Sequence, residues 1–268
     1  MPQSYRRVAI ISDLHCGHAA GLTPTEFECQ NTSQDQKLLK LSDIRKQCWA
    51  KYLDIIKQLG KVDLLIVGGD AIDGRGERSG SVELLYVDRR EQVKMATACL
   101  KAWNARNYCM VRGTPYHTGD KENWEDDIAN ALGCHIGEHE WAELEGYIFD
   151  IKHKVGSSQI PHGRYTAAAK EDLWNQLWAA SSQQPNADMI VRSHVHYYCG
   201  GFNYTTGKKR RFLTTPALQS MGTRYGAREC SGKIDWGVLA FDISKGKIIQ
   251  EHEHIVIFDG TRAKTTKY

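Results

Sequence analysis

The sequence is defined first by what it lacks. No apolar run is long enough to span a bilayer, and the first residues lead into a predicted strand with no signal peptide before it. The eight cysteines form no CxxC pair, which indicates reduced thiols rather than a disulfide framework. The net charge of +3 is too small to predict a strong attraction to nucleic acid. These features predict a cytoplasmic protein that does not bind membranes.

Short apolar runs that end in metal-binding residue types are what the sequence does have. The run Val62–Val67 contains little polar alternation, which is typical of a strand covered by helices on both faces. Gly68 and Gly69 follow it and leave room for a turn, and Asp70 then stands at the strand's carboxyl end. In layered α/β folds this end of a strand carries the chemistry.

The same design recurs in four further predicted strands. Those strands are Arg7–Ser12, Tyr108–Arg112, Tyr147–Lys152 and Asp188–Ser193. The residues that follow them are Asp13 and His15, then Gly113, Thr114 and His117, then His153, and finally His194 and His196. In an extended chain residues i and i+2 point the same way, so each Asp-x-His or His-x-His pair is expected to face one ion.

These blocks, in this order, resemble the calcineurin-like metallophosphoesterases over roughly residues 6–258. The family's blocks run Asp-x-His, Gly-Asp, Gly-Asn-His, a lone His, and Gly-His-x-His. The resemblance implies an α/β fold, a two-sheet αββα sandwich of mixed sheets with helices outside, formed by residues 1–268 as a single domain. Two blocks depart from the pattern, because Thr114 replaces the asparagine and Ser193 the last glycine.

The resemblance also implies a site for two divalent metal ions. It assigns Asp13, His15 and His196 to one ion, His153 and His194 to the other, and Asp70 to both. Thr114 stands where the family has an asparagine that ligates the second metal; its hydroxyl could serve as a ligand, position a water, or leave that metal weakly held. Mn, Fe, Zn and Ni suit such a ligand set, with Mn favoured. His162 competes with His153 for the middle position, and His153 is preferred because the end of a strand holds a ligand firmly.

The resemblance further implies that a hydroxide between the ions attacks phosphorus, and that His117 protonates the leaving oxygen or stabilises the transition state. Pro115 and Tyr116 are extra residues that displace His117 relative to the family's histidine. Arg75 and His162 are predicted to contact the substrate. Residues 16–41 and 71–82 are predicted to be lid-like loops.

Four helices are predicted from apolar periodicity, at Ser42–Leu59, Glu83–Asn104, Asn123–Leu132 and Tyr165–Ser181. In the last of these, Leu173, Trp174, Leu177 and Trp178 are expected to form the buried face. The basic run Lys208–Arg211 is expected to be a solvated turn, with nucleic-acid contact the less favoured alternative.

The function predicted from these features is metal-dependent hydrolysis of a phosphorylated substrate, with a diester of a nucleotide or nucleic acid favoured. A phosphomonoesterase is one alternative, and an inactive member of the family that serves as a binding scaffold is another. A histidine-rich metal-binding protein with no hydrolytic role is the least favoured. Nothing in the sequence predicts the oligomeric state.

Overall fold

The computed structural model describes residues 5–28, 36–77, 80–119, 122–158, 160–205, 207–220, 234–258 and 265–266. Its strands are β1 (Arg6–Ile11), β2 (Leu64–Val67), β3 (Tyr108–Val111), β4 (Ile136–Gly137), β5 (His139–Leu144), β6 (Tyr147–Lys152), β7 (Met189–Arg192), β8 (Cys199–Thr205), β9 (Lys208–Thr214), β10 (Trp236–Ser244) and β11 (Lys247–Val256). Its helices are α1 (Gln36–Leu59), α2 (Arg89–Lys101), α3 (Pro115–Thr118), α4 (Trp124–Leu132) and α5 (Arg164–Ala180). None of the described helices is long and apolar enough to cross a membrane.

The strands form two mixed sheets. The first has the order β11-β10-β1-β2-β3-β4 and the second the order β5-β6-β7-β9-β8. Within the first sheet β1 to β4 run parallel to one another, and within the second β6, β7 and β9 do so. Parallel strands bring their carboxyl ends to one edge of a sheet, so the segments after β1, β2, β3, β6 and β7 can meet.

Apolar side chains join the sheets face to face. Val8, Ile66 and Phe241 of the first sheet pack in one buried cluster with Phe149 and Val191 of the second. A larger cluster lies on the other face of the first sheet and includes residues of α1, α2 and α4. Since α5 contacts the outer face of the second sheet, the predicted αββα sandwich is confirmed.

The loop predicted for residues 16–41 is shorter than expected. Helix α1 already begins at Gln36, six residues before the predicted start at Ser42. Residues 16–24 are buried, with Leu22 and Thr23 inaccessible to solvent, so this part of the predicted loop packs against the rest of the chain. Residues 29–35 of this loop, and residues 78–79 of the loop predicted for 71–82, lie outside the described part of the chain.

Helix α2 also differs from its prediction, since it begins at Arg89 and not at Glu83. The side chain of Asp88 accepts a hydrogen bond from the backbone N–H of Arg90 at 2.8 Å and caps the helix. Such a cap satisfies an amide that the first turn leaves without a partner. The residues before Asp88 therefore form a connection.

Helix α5 has the opposite orientation to the one predicted. Leu173, Trp174, Leu177 and Trp178 are 55%, 51%, 53% and 42% exposed. The residues of α5 that are buried against the second sheet are Ala168, Asp172 and Asn175. The prediction that the four large apolar side chains form the core face is wrong, because polar pairing fixes this helix.

The basic run at residues 208–211 lies in strand β9 and is not a solvated turn. Arg210 is buried and donates to Asp172 of α5 at 2.8 Å. Lys208 lies 2.7 Å from Asp188, and Arg211 pairs with Glu251 of β11. These cations are engaged within the fold, so the prediction of a solvated basic turn is wrong.

Candidate metal centre

The segments after five parallel strands bring seven Asp and His side chains into one cluster. Three groups have ligand atoms within 4.8 Å of one another, namely Asp13 with His15 and His196, His15 with Asp70 and His117, and Asp70 with His153 and His194. The groups share His15 and Asp70, so they form a continuous set. All seven residues were predicted to lie at this site.

The backbone at five of these residues is left-handed. The φ angles are 53° at Asp13, 45° at His15, 51° at Asp70, 74° at His194 and 54° at His196. The sequence-based reason for the shared direction of each pair, an extended chain, is therefore wrong. A non-glycine residue in this region costs on the order of 1–3 kcal/mol, and such residues concentrate at functional sites.

Backbone hydrogen bonds hold the first two of these segments together. The N–H of Asp13 donates to the carbonyl of Gly69, and the N–H of His15 donates to the carbonyl of Asp70, each at 3.0 Å. The φ of 90° at Gly69 is one that a glycine adopts readily. A Cβ built on Gly69 would lie 2.8 Å from the His153 ring, so this glycine also permits the close approach of that histidine.

Two histidines, His15 and His153, are anchored through one ring nitrogen and present the other to the cluster. His15 Nδ1 lies 2.9 Å from Asp73 Oδ1, and His153 Nδ1 lies 2.6 Å from the carbonyl of Gly68. The Nε2 atoms of His15 and His196 face each other at 3.2 Å. Anchoring of the second nitrogen by a carboxylate or carbonyl is the usual arrangement for a histidine that ligates a metal.

Two buried polar atoms at the cluster have no hydrogen-bond partner among the described residues. They are Asp13 Oδ1 and His153 Nε2. Each nevertheless lies close to an oppositely charged group, at 3.2 Å from His196 Nε2 and 3.0 Å from Asp70 Oδ2 respectively. Buried polar atoms without a partner cost free energy. Because carboxylate oxygens and imidazole nitrogens are ligands for divalent metals, this donor set fits such ions.

The protonation equilibria reflect burial and the crowding of charges. Burial lowers the pKa of His15 to about 4, although its bond to Asp73 opposes that shift. For His153, burial lowers the pKa, but the negative charge of Asp70 helps to raise it by a larger amount, so the net shift is upward. The reverse holds for Asp70, whose burial raises the pKa while His153 lowers it to a net value below the usual range.

Thr114 directs its polar groups at Asp70. Its backbone N–H donates to Asp70 Oδ1 at 2.7 Å, and its hydroxyl lies 3.1 and 3.2 Å from the two carboxylate oxygens. Thr114 is also the residue before the short helix α3. The hydroxyl that was predicted as a metal ligand is thus engaged in hydrogen bonding to the carboxylate.

His117 lies in α3 and is one of the seven residues of the cluster. Its Nδ1 is 2.7 Å from the backbone carbonyl of Asp73, and its ring centroid is 4.6 Å from that of His15. The turn of helix formed by Pro115, Tyr116 and His117 accommodates the two extra residues. His117 therefore reaches the cluster despite its displacement in the sequence.

The two predicted substrate contacts are both exposed. His162 is exposed in a short 3-10 helix, Pro161–Gly163, and belongs to none of the three groups, whereas His153 belongs to one. Arg75 is also exposed, with its guanidinium 4.0 Å from the Glu77 carboxylate. Their roles toward a substrate stay predictions.

Two buried acids support the cluster and were not singled out in the sequence. Asp73 contacts both His15 and His117, at 2.9 and 3.6 Å. Glu125 of α4 accepts hydrogen bonds from the N–H groups of Ala71 and Gly113, both at 2.7 Å. Burial, and then the nearby charge of Asp70, raises the pKa of Glu125 to about 7. The position of Asp73 three residues after Asp70 was a usable signal, whereas nothing local marked Glu125.

A family model described as calcineurin-like phosphoesterase matches residues 6–198 of the chain. Among solved structures, the chain is similar to Vps29 from Entamoeba histolytica, crystallised with zinc, at 14% identity and a TM-score of 0.47, covering 93% of this chain and 98% of that one. It is similar to an archaeal phosphodiesterase at 15% identity and a TM-score of 0.45, covering 93% and 99%. The nuclease MPE from Pseudomonas putida is 13% identical with a TM-score of 0.33, covering 90% and 86%. No curated protein sequence matches the chain.

Proposed function

The chain belongs to the calcineurin-like phosphoesterase family, and we propose from this that it is a metal-dependent hydrolase of phosphodiesters, with a nucleotide or nucleic acid as substrate. The observation that supports this most directly is the buried cluster in which Asp13 Oδ1 and His153 Nε2 lack hydrogen-bond partners. A fold does not by itself establish an activity. The proposal therefore depends on what these side chains can do.

Six side chains would hold two divalent ions, Mn being the favoured metal. Asp13, His15 and His196 would hold one ion and His153 and His194 the other, with Asp70 shared because it belongs to groups on both sides. A pair of such ions supplies Lewis-acid stabilisation of a phosphoryl group and lowers the pKa of water. Asp73 and the Gly68 carbonyl would keep the rings of His15 and His153 in their ligating orientation.

His117 is proposed to move a proton to the leaving oxygen. Its Nδ1 faces the carbonyl of Asp73 at 2.7 Å, a contact that a ring N–H donor satisfies. In the doubly protonated ring, Nε2 carries the second proton, which would pass to the leaving oxygen and leave the neutral ring still donating from Nδ1; a positioned histidine is the commonest general acid. Asp73 would position His117 as well as His15, because it contacts both rings.

Thr114 is proposed to position Asp70 instead of binding metal as first predicted. Its N–H and hydroxyl both point at the carboxylate. Hydrogen bonds to the charged form of a carboxylate favour that form, so Thr114 would help to keep Asp70 ionised and aligned. Glu125 would add to this by linking the segments that carry Asp70 and Thr114, through Ala71 and Gly113.

A diester is proposed in preference to a monoester, and the comparison of the two substrates below decides between them. A diester carries a single negative charge, whereas a monoester dianion carries two near pH 7. Arg75, the cation predicted to contact phosphate, is exposed beside Glu77.

The test compares bis-p-nitrophenyl phosphate with p-nitrophenyl phosphate, on protein stripped of metal and reloaded with Mn, Ni or Zn. We expect turnover of the diester that requires metal and that falls to background in Asp70→Asn, while His135→Gln, at an exposed histidine outside the cluster, retains it. Turnover confined to the monoester would replace the proposed substrate class. Folded protein that binds metal but is inactive with every ion would contradict hydrolysis and favour a binding scaffold.

A further inference from the structure

Helix α5 turns its polar residues inward and its largest apolar residues outward. Asp172 and Asn175 are buried against the second sheet, while Leu173, Trp174, Leu177 and Trp178 are each about half exposed. These four residues, which we call the α5 stripe, are spaced i, i+1, i+4 and i+5 and so lie on one side of the helix. An amphipathic helix in a globular protein normally shows the reverse arrangement.

Buried ion pairs fix α5 in this orientation. Arg210 of β9 donates to Asp172 at 2.8 Å and to the side-chain oxygen of Asn175 at 2.8 Å. Asn175 in turn donates to Asp150 of β6 at 2.9 Å. Rotating the helix to bury the tryptophans would leave Arg210 and Asp172 buried without their partners, which is strongly unfavourable. The α5 stripe therefore cannot be buried within the same chain by such a rotation.

The α5 stripe is suited to bury itself against a second copy of the same helix. If two α5 helices lie antiparallel, with a twofold axis at the level of Asn175 and Gln176, Trp174 faces Leu177 of the other copy and Leu173 faces Trp178. Each large aromatic side chain then meets a smaller aliphatic one. A twofold contact of this kind uses one patch on both subunits, which is how most soluble dimers form.

Charge complementarity supports the same antiparallel arrangement. Lys170 is exposed on the same side of α5 as the stripe, and in this pairing it lies opposite Ser181, where the other copy's helix ends. The end of a helix is electronegative and favours a nearby cation. Helix α5, which is described in full, has no basic residue in its own last turn. The Lys170 side chain of one copy would supply the missing positive charge to the other.

We propose that the α5 stripe is the interface of a reversible homodimer with antiparallel α5 helices. Its four side chains expose roughly 400 Å² of surface, taking about 250 Å² for a fully exposed tryptophan. A standard interface buries about 800 Å² on each partner. Even with Lys170, Ser181 and other rim residues, the contact is at the small end of specific interfaces, so we expect it to be weak and concentration-dependent.

The first test is sedimentation velocity of the full chain from ~1 μM to ~1 mM, the range over which a weak dimer forms. We expect the mean mass to rise from one chain toward two, and Leu177→Glu to weaken association by roughly tenfold or more, since it buries an unpaired charge at the centre of the interface. Tyr165→Glu is the matched control, because Tyr165 is similarly exposed on α5 but points away from the stripe. Lys170→Glu is expected to weaken association as well.

The second test fixes the direction of the helices by oxidative cross-linking. A mixture of Lys170→Cys and Ser181→Cys chains is expected to give a cross-linked dimer, and Lys170→Cys alone is not. Cross-linking of Lys170→Cys to itself would indicate parallel helices and overturn the proposed geometry. Three outcomes would overturn the proposal. The chain could stay monomeric at every concentration, or the dimer could be unaffected by Leu177→Glu. The third is a monomer that binds anionic vesicles through the α5 stripe. Circular dichroism of each variant shows that it is folded.

Discussion

The Asp70 carboxylate receives more support from the protein than any other residue of the cluster. Thr114 donates to it twice, and Glu125 links the segment after Asp70 to the segment that carries Thr114. The resemblance places a metal-ligating asparagine of the family at this position. The proposal that Thr114 instead holds the Asp70 carboxylate can be tested without changing the backbone.

Thr114→Val removes the hydroxyl but keeps the side-chain shape and the N–H that donates to Asp70. We expect metal affinity or diester turnover to fall by about 10–100-fold, the usual effect of removing a partner of a metal ligand. Thr114→Ser restores a hydroxyl and is expected to recover most of the loss. Metal titration followed by steady-state kinetics measures both effects. Equal losses in the two variants would contradict a role for the hydroxyl.

His15 predicts a pH dependence of stability in the metal-free protein. Burial lowers the pKa of His15 to about 4, below the value near 6.5 expected in the unfolded chain. Between pH 6.5 and pH 4, His15 binds a proton in the unfolded chain but not in the folded chain. The folded protein therefore loses stability relative to the unfolded chain as the pH falls from 6.5 to 4. The loss amounts to about 3 kcal/mol.

The measurement is urea unfolding in a chelator at several pH values, for the wild type and His15→Gln. The variant has no imidazole at this position. The free energy of unfolding of the wild type, relative to that of His15→Gln, is therefore expected to decrease steadily as the pH falls from 6.5 to 4. A difference between the two proteins that does not change with pH would contradict the depressed pKa.

At the scale of elements, the two outer layers are held by different forces. Helices α1, α2 and α4 contribute to a large apolar cluster on the first sheet. The apolar cluster beneath α5 is small, comprising Ala168, Ala187, Ile190 and Phe212. Buried polar pairs supply the rest of that contact, among them Arg192, which donates to Asp150 at 2.7 Å and to Glu171 at 3.0 Å.

Asp172→Ala is expected to destabilise the protein by about 3–5 kcal/mol, because it leaves Arg210 buried without its carboxylate. The double variant Asp172→Leu with Arg210→Met removes both charges and is expected to cost clearly less. Urea unfolding of the single and double variants gives the comparison. A double variant as unstable as Asp172→Ala would show that the ion pair is not the source of the effect.

How far the elements follow from the sequence depends on which force places them. The strands β1, β2, β6 and β7 are largely buried apolar runs, and such runs predict strands well. Helix α5 was predicted at nearly the right residues but with its faces reversed. Periodicity reports which residues share a face, and the partners that decide its direction, Arg210 and Asp150, are distant in the sequence.

The candidate site was likewise predicted only in part from the sequence. Residues after strands were predicted to meet because strand ends converge, and all seven do. The left-handed backbone at Asp13 or His196 leaves no mark in the sequence, since neither residue is glycine. The sequence did not predict the role of Glu125, because this residue contacts Ala71 and Gly113 from a helix that carries no local motif.

For the whole molecule, metal binding and folding stability are expected to be coupled. The candidate ligands follow strands of both sheets, so an ion that binds only the folded chain would stabilise the sandwich as a unit. At a metal concentration 100 times the Kd, the gain is about 2.7 kcal/mol. For a chain of this size that corresponds to a rise in Tm of roughly 5–10 °C.

Differential scanning fluorimetry of chelated and Mn-loaded protein measures this rise, and Asp70→Asn is expected to lose most of it. The exposed-histidine variant His135→Gln is expected to keep the full rise. A Tm that does not respond to any divalent ion would contradict metal binding at the cluster.

The left-handed backbone at five residues of the cluster affects how the thermal stability of this protein could be increased. Asp13, His15, Asp70, His194 and His196 are held in a conformation that their side chains disfavour, and two of them are buried carboxylates. Replacement by glycine relieves that strain. A selection for thermal resistance alone, carried out without metal, is therefore expected to collect substitutions at these positions. Stability and activity would here trade against each other at the same five residues.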